Sequence, residues 1–207
     1  TAYTSLKDYE NAVKALQEAI NLNPENALLY NNMGSCYLGL NKIDKALEAF
    51  DNSVNLDHKN PMTYYNLGTA QQLKGLKEQA YDSFMQAYEL EPSDFYLTGA
   101  ASGAFNAEKW ETAIELYKKL VTEHPEKQNY EYKLACAYSE AGHYNEAILI
   151  LRKLCTMNPK SVSMAQKLSD CYHRAGNLPE ARDALERIIK LGKLPPEVYY
   201  NLSLIHI

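Results

Sequence analysis

Long apolar runs are missing from this chain. No stretch reaches the roughly 18 residues that a membrane-spanning helix needs, so no span is expected in these 207 residues. Positive charge is not in excess either. The formal net charge of −5 excludes a nucleic-acid binder that works by neutralising many phosphates. Cysteine is scarce, at Cys36, Cys136, Cys155 and Cys171. None forms a C-x-x-C pair and no histidine lies at zinc-ligand spacing from two of them, so no metal site is expected. They read as free thiols acting as small hydrophobes, which points to a reducing compartment and favours the cytoplasm. No signal peptide is visible, and the chain begins at Thr1 without a Met, so its natural start is expected to lie upstream. A glycine-rich phosphate loop, a nucleophile elbow and a metal-ligand cluster are all absent, so neither a catalytic residue nor a cofactor is expected. His58, His124 and His143 fall at turns and read as surface residues.

Glycine and proline are few, and helix formers fill the chain. What is present is periodic. Alanine precedes an apolar stripe at Ala12, Ala46, Ala80, Ala113, Ala147 and Ala181, with gaps of 34, 34, 33, 34 and 34 residues. Four residues on stand Leu16, Phe50, Phe84, Tyr117, Leu151 and Leu185. Twelve residues on stand Pro24, Pro92, Pro125 and Pro159, replaced by His58 and Lys193 in the other two copies. Each slot has a mechanical reason. A large residue followed by a small one, as in Met33-Gly34, Leu67-Gly68, Leu134-Ala135 and Leu168-Ser169, lets two helices approach closely. Gly75, Gly142, Gly176 and Asn41 end the first helix of a unit, because Gly and Asn tolerate the left-handed C-cap conformation. Proline then stops the second helix.

The copies resemble the tetratricopeptide repeat family, whose period is about 34 residues. Repeat two reads Tyr30, Met33, Gly34, Tyr37, Ala46, Phe50, and repeat three reads Tyr64, Leu67, Gly68, Ala80, Phe84, Ala87, Pro92. The resemblance implies an all-α, right-handed superhelical solenoid of antiparallel helix pairs. The pairs are expected at 27–40 with 43–56, 61–74 with 77–90, 94–106 with 110–123, 128–141 with 144–157, and 162–175 with 178–191. Residues 1–26 form a partial first repeat, followed by repeats 27–60, 61–93, 94–127, 128–161 and 162–195 and a partial repeat 196–201. No unit buries its apolar face alone, so neighbours must stack. Repeat four departs from the pattern: Gly99 and Gly103 lie inside its first helix, and the preceding unit is one residue short. A softer or displaced helix near 94–106 is expected, with closer helix packing as the alternative. Residues 202–207 resemble translated sequencing-adapter sequence, although Leu202 and Ser203 also fit the large-small slot. The chain is therefore expected to be a fragment of a longer product.

In this family the first helices line a concave groove that holds a partner segment. The matching slots are Asn31, Asn32 and Ser35 in repeat two, Tyr65, Asn66 and Thr69 in repeat three, and Phe105 in repeat four. Repeat five supplies Tyr132 and Lys133, and repeat six Gln166, Lys167, Asp170 and Arg174. Leu28, Met62 and Phe95 occupy the second slot of three successive units. Asn32 and Asn66 share the sixth slot and are expected one above the other, where carboxamides can hold an extended peptide backbone. This row resembles the asparagine ladder of O-linked N-acetylglucosamine transferases, interrupted here by Gly99, Lys133 and Lys167; the alternative is that Asn merely suits the helix surface. Lys133 and Lys167, with Arg174 and His173 nearby, could take a partner's carboxylate; in the alternative reading Glu140 and Asp170 neutralise them. A chaperone-tail carboxylate clamp would need Lys and Asn where Asn31 and Ser35 stand, so that pattern is not met. The function implied is a protein–protein interaction scaffold or adaptor, without enzymatic activity, that binds a protein or peptide partner. A substrate-binding arm of a larger enzyme, such as an O-linked glycosyltransferase, and a bacterial pilus or outer-membrane assembly factor are the alternatives.

Overall fold

The computed structural model describes residues 2–189, and among these are eleven α-helices and no strand. The helices are α1 Ala2–Leu22, α2 Ala27–Gly39, α3 Ile43–Leu56, α4 Pro61–Leu73, α5 Lys77–Leu90, α6 Asp94–Asn106, α7 Trp110–Glu123, α8 Gln128–Glu140, α9 Tyr144–Met157, α10 Val162–Arg174 and α11 Leu178–Ile189. Expected and observed helices agree to within a residue or two throughout. The partial repeat at 196–201, with Tyr199 and Asn201, and the segment 202–207 lie outside the described residues.

Local chemistry sets the helix ends. Asn26 and Asn60 cap α2 and α4: Asn26 accepts from the Leu28 N–H, and Asn60 from those of Met62 and Thr63. Both satisfy donors that the first helical turn leaves unpaired. Pro61 opens α4, where its missing N–H costs nothing. After α4, α8 and α10 the chain turns at Gly75, Gly142 and Gly176, with φ of 83°, 85° and 81°. Asn41 does the same at φ 56°. In the fourth copy Glu108, not a glycine, takes φ 60°.

The chain divides into two compact units between Lys109 and Trp110. Unit 1 holds α1 to α6 and unit 2 holds α7 to α11. In both, each helix packs against the next one in sequence, and the fold class is an all-α helical-repeat solenoid. The signature side chains form the core: Ala46, Ala80, Ala113, Ala147 and Ala181 are buried, and so are Phe50, Phe84, Tyr117, Leu151 and Leu185. Where Ser169 replaces the glycine of the small slot, its hydroxyl donates to the Ala181 carbonyl at 2.7 Å, so close approach is kept and a buried polar group is satisfied.

The fourth copy corrects one expectation. α6 is a regular 13-residue helix, not a displaced one. Its glycines serve close packing. A Cβ on Gly99 would sit 2.8 Å from the Tyr65 ring, and one on Gly103 would sit 2.8 Å from Phe84 and 3.2 Å from the Tyr81 Cα. The alternative of closer helix packing is therefore the one observed.

Within each unit the first helices of the pairs approach one another. α2 touches α4 and α4 touches α6, whereas α3 and α5 make no comparable contact. In unit 2, α8 touches α10 while α7 and α9 do not approach as closely. A row drawn together more tightly than the row behind it forms the inner side of a curve. The inner row of unit 1 is thus α2, α4, α6, and that of unit 2 is α8, α10.

Candidate functional site

Asn31 lies on the inner row of unit 1 but is buried, at 6% exposure. The Asn66 carboxamide donates to its Oδ1 at 3.0 Å across the α2–α4 contact. The bond runs not to Asn32, which shares the sixth slot and stands exposed, but to the residue before it. The shift follows from the 35-residue separation of the bonded pair, one more than the repeat. The bond fixes the Asn66 plane, while Asn66 keeps its carbonyl oxygen and second N–H for other use. Ser35 and Thr69 turn their hydroxyls back onto their own helices, to the Asn31 carbonyl at 3.1 Å and the Tyr65 carbonyl at 2.9 Å.

Tyr65 is the hub of an aromatic cluster. Its ring centroid lies 4.4 Å from that of Phe95, 5.3 Å from Phe84 and 5.9 Å from Tyr96. Phe84 belongs to the core, whereas Phe95 is half open to solvent. The cluster therefore carries apolar surface from the core out to the inner face. Sequence reasoning placed Tyr65 and Phe95 on this face but missed their contact; the signal was a pair of adjacent aromatics near the start of α6, Phe95-Tyr96, 31 residues after the pair Tyr64-Tyr65. Phe105, toward the other end of α6, is half-buried.

Unit 2 is built differently. Lys167 of α10 is half-buried and donates to Glu140 of α8 at 2.6 Å. Burial pushes its ammonium pKa down, but the hydrogen bond and charge of Glu140 outweigh that, and the net shift is upward. Asp170 and Arg174 pair with each other at 3.2 Å. The Asp170 charge, followed by a hydrogen bond with Tyr144, raises the Arg174 pKa further. The basic cluster is therefore internally neutralised at Lys167 and Arg174, and of the two sequence readings the mixed-charge face is the one observed. Lys133 is exposed; Gln166 and Tyr132 are half-buried. Burial, and then the Cys136 thiol beside it, pushes the Tyr132 phenol up to about 12. All four cysteines are free thiols; Cys171 is buried and the others are half-buried. Among the described residues no helix is long and apolar enough to cross a membrane.

Comparison with known proteins bears on the family. A model described as TPR repeat matches residues 1–41 and 37–75, and one described as tetratricopeptide repeat matches 63–94. A model of anaphase-promoting complex, cyclosome, subunit 3 matches 106–188. This chain is a tetratricopeptide-repeat protein. The repeat protein YrrB, described as having an unusual peptide-binding site, superposes with a TM-score of 0.78 over 94% of this chain and 100% of its own, at 18% identity. MamA from Desulfovibrio magneticus RS-1 gives 0.70 over 80% and 94%, at 19% identity. At these identities the likeness is one of fold. Serine/threonine-protein phosphatase 5 of Homo sapiens and of Rattus norvegicus is 53% identical over 36 residues, which is 17% of the repeat chain and 7% of each phosphatase.

Proposed function

We propose that this repeat protein is a protein–protein interaction scaffold, and that its inner helix row holds an extended segment or a helix of a partner. The observation that carries the reading is the unit 1 inner face, where the oriented Asn66 carboxamide and the exposed Asn32 lie on the same row as the half-exposed Tyr65–Phe95 rings. Carboxamides serve the backbone of any bound chain, since they both donate and accept. Aromatic rings supply broad contact area at low conformational cost. A binding role without catalysis is the corresponding reading of the chain's activity.

Panning a displayed library of random 12-residue peptides against the whole chain tests this. Selected peptides are expected to lose about tenfold in affinity, roughly 1.4 kcal/mol, for a chain carrying both Asn32→Ala and Asn66→Ala. Circular dichroism would establish that the variant keeps its helices. Peptides that bind wild type and variant equally well would place binding elsewhere and defeat the reading.

A further inference from the structure

Charge is distributed unevenly over the inner rows. α2, α4 and α6 are 13 residues each, and the only charged residue among them is Asp94, at the very start of α6. The chain as a whole is 23% charged. The outer helices of the same unit follow that average: α3 carries Asp44, Lys45, Glu48 and Asp51, and α5 carries Lys77, Glu78, Asp82 and Glu89. The inner row of unit 2 does so too, with three charged residues in α8 and three in α10. Burial does not explain the difference, because many unit 1 inner positions face solvent.

What those open positions carry instead is apolar. Leu28, Met62 and Phe95 are each the second residue of their helix and are 55%, 42% and 51% exposed. A single exposed apolar side chain needs no explanation. Here three successive inner helices repeat one in the same slot, and the third packs against the Tyr65 ring with centroids 4.4 Å apart. Beside this stripe stand neutral amides and hydroxyls.

We infer that the occupant of the unit 1 inner face is an uncharged partner segment bearing large apolar side chains, held without ion pairs. This rests on the reading of the inner row as a peptide-binding surface. Complementarity decides the chemistry. A charged segment laid here would lose hydration and gain no counter-charge. An apolar side chain laid on Leu28, Met62 or Phe95 releases water from both surfaces. Helices in contact lie about 8–10 Å apart, so three of them span roughly 20 Å, which about six or seven extended residues cover. The segment is therefore a run of that length free of Asp, Glu, Lys and Arg.

The same peptide selection tests this through different readouts. Peptides that compete for the unit 1 face are expected to contain such an uncharged run with two or more of Leu, Ile, Met or Phe. Their Kd should change less than about twofold between 0.05 and 0.5 M NaCl, because no charge pair is there to be screened. Met62→Glu and Met62→Lys are both expected to weaken them about tenfold. Phe95→Glu and Phe95→Lys repeat the test at a second open position. A charged partner would behave otherwise: one sign of substitution would tighten binding while the other loosened it, and salt would weaken the wild-type complex. That pattern, or loss on Lys133→Glu alone, would overturn the inference while leaving groove binding intact. A selection whose peptides ignore every inner-row substitution would overturn the groove reading itself.

Discussion

At the scale of single residues, two kinds of glycine hold this protein together for opposite reasons. Gly34 has no unusual φ, but a Cβ there would lie 2.6 Å from the ring of fully buried Phe50. Gly142 has φ 85°, and nothing lies within 4 Å of where its Cβ would be. The first is a requirement for space and the second for backbone conformation. Gly34→Ala is expected to cost about 1–3 kcal/mol by overpacking. Much of that should return in the double variant Gly34→Ala/Phe50→Leu, because the two residues are in direct contact. Gly142→Ala is expected to cost about 1 kcal/mol through the left-handed backbone alone, and adding Phe50→Leu to it should restore nothing. Urea denaturation of the four chains measures both. Equal rescue, or none in either case, would show that the two glycines are not distinguished in this way.

At the scale of elements, the helix pairs were legible because each leaves several coincident marks at fixed spacing. Ala80, Phe84 and Gly75 together locate α4, α5 and the turn between them with little freedom left. The turn at Glu108 was not legible, since nothing about glutamate announces a positive φ. Nor was the site's register. Slot counting aligns Asn32 with Asn66, but adjacent helices are offset, and the carboxamide that Asn66 reaches is that of Asn31. Lys167 and Glu140 show the same limit: their spacing of 27 residues matches no repeat multiple, and the pair emerges only once α8 and α10 are packed. Phe84 of α5 is where element packing can be tested most sharply. Cβ atoms built on Gly68 of α4 and on Gly99 and Gly103 of α6 would all lie within 3.2 Å of its ring. The ring therefore fills the notch that three glycines open in its two neighbours. Phe84→Ala is expected to cost about 3–5 kcal/mol, at the upper range for a buried aromatic, because helix backbones cannot readily collapse into the space. A loss under 1 kcal/mol in chemical denaturation would mean that the notch closes.

At the scale of the whole molecule, ionisable groups that resist losing a proton are concentrated in unit 2. Burial raises the thiol pKa of Cys136, Cys155 and Cys171 above the ordinary 9.0. Tyr132 is pushed to about 12 from 10.0, and the net shift of Lys167 is upward from 10.5. Unit 1 has Cys36, Tyr96 and half-buried Lys109 shifted the same way. Each such group holds its proton longer when folded than when unfolded. As pH climbs through the ordinary values, the unfolded chain gives up protons that the folded chain keeps, and stability falls. For Lys167 this means that the contribution is whole below pH 10.5 and disappears as pH passes its folded value. For the thiols and the phenol the loss begins near pH 9 and 10 and continues until the folded groups ionise. Unit 2 is therefore expected to weaken steadily above about pH 9. The single tryptophan, Trp110, opens α7 and reports on that unit. Its fluorescence midpoint in urea should drop between pH 8 and pH 10.5, and Tyr132→Phe should shrink the drop by removing one of the titrating groups. A midpoint that holds level across that range would mean that these side chains are as well hydrated in the folded unit as in the unfolded chain.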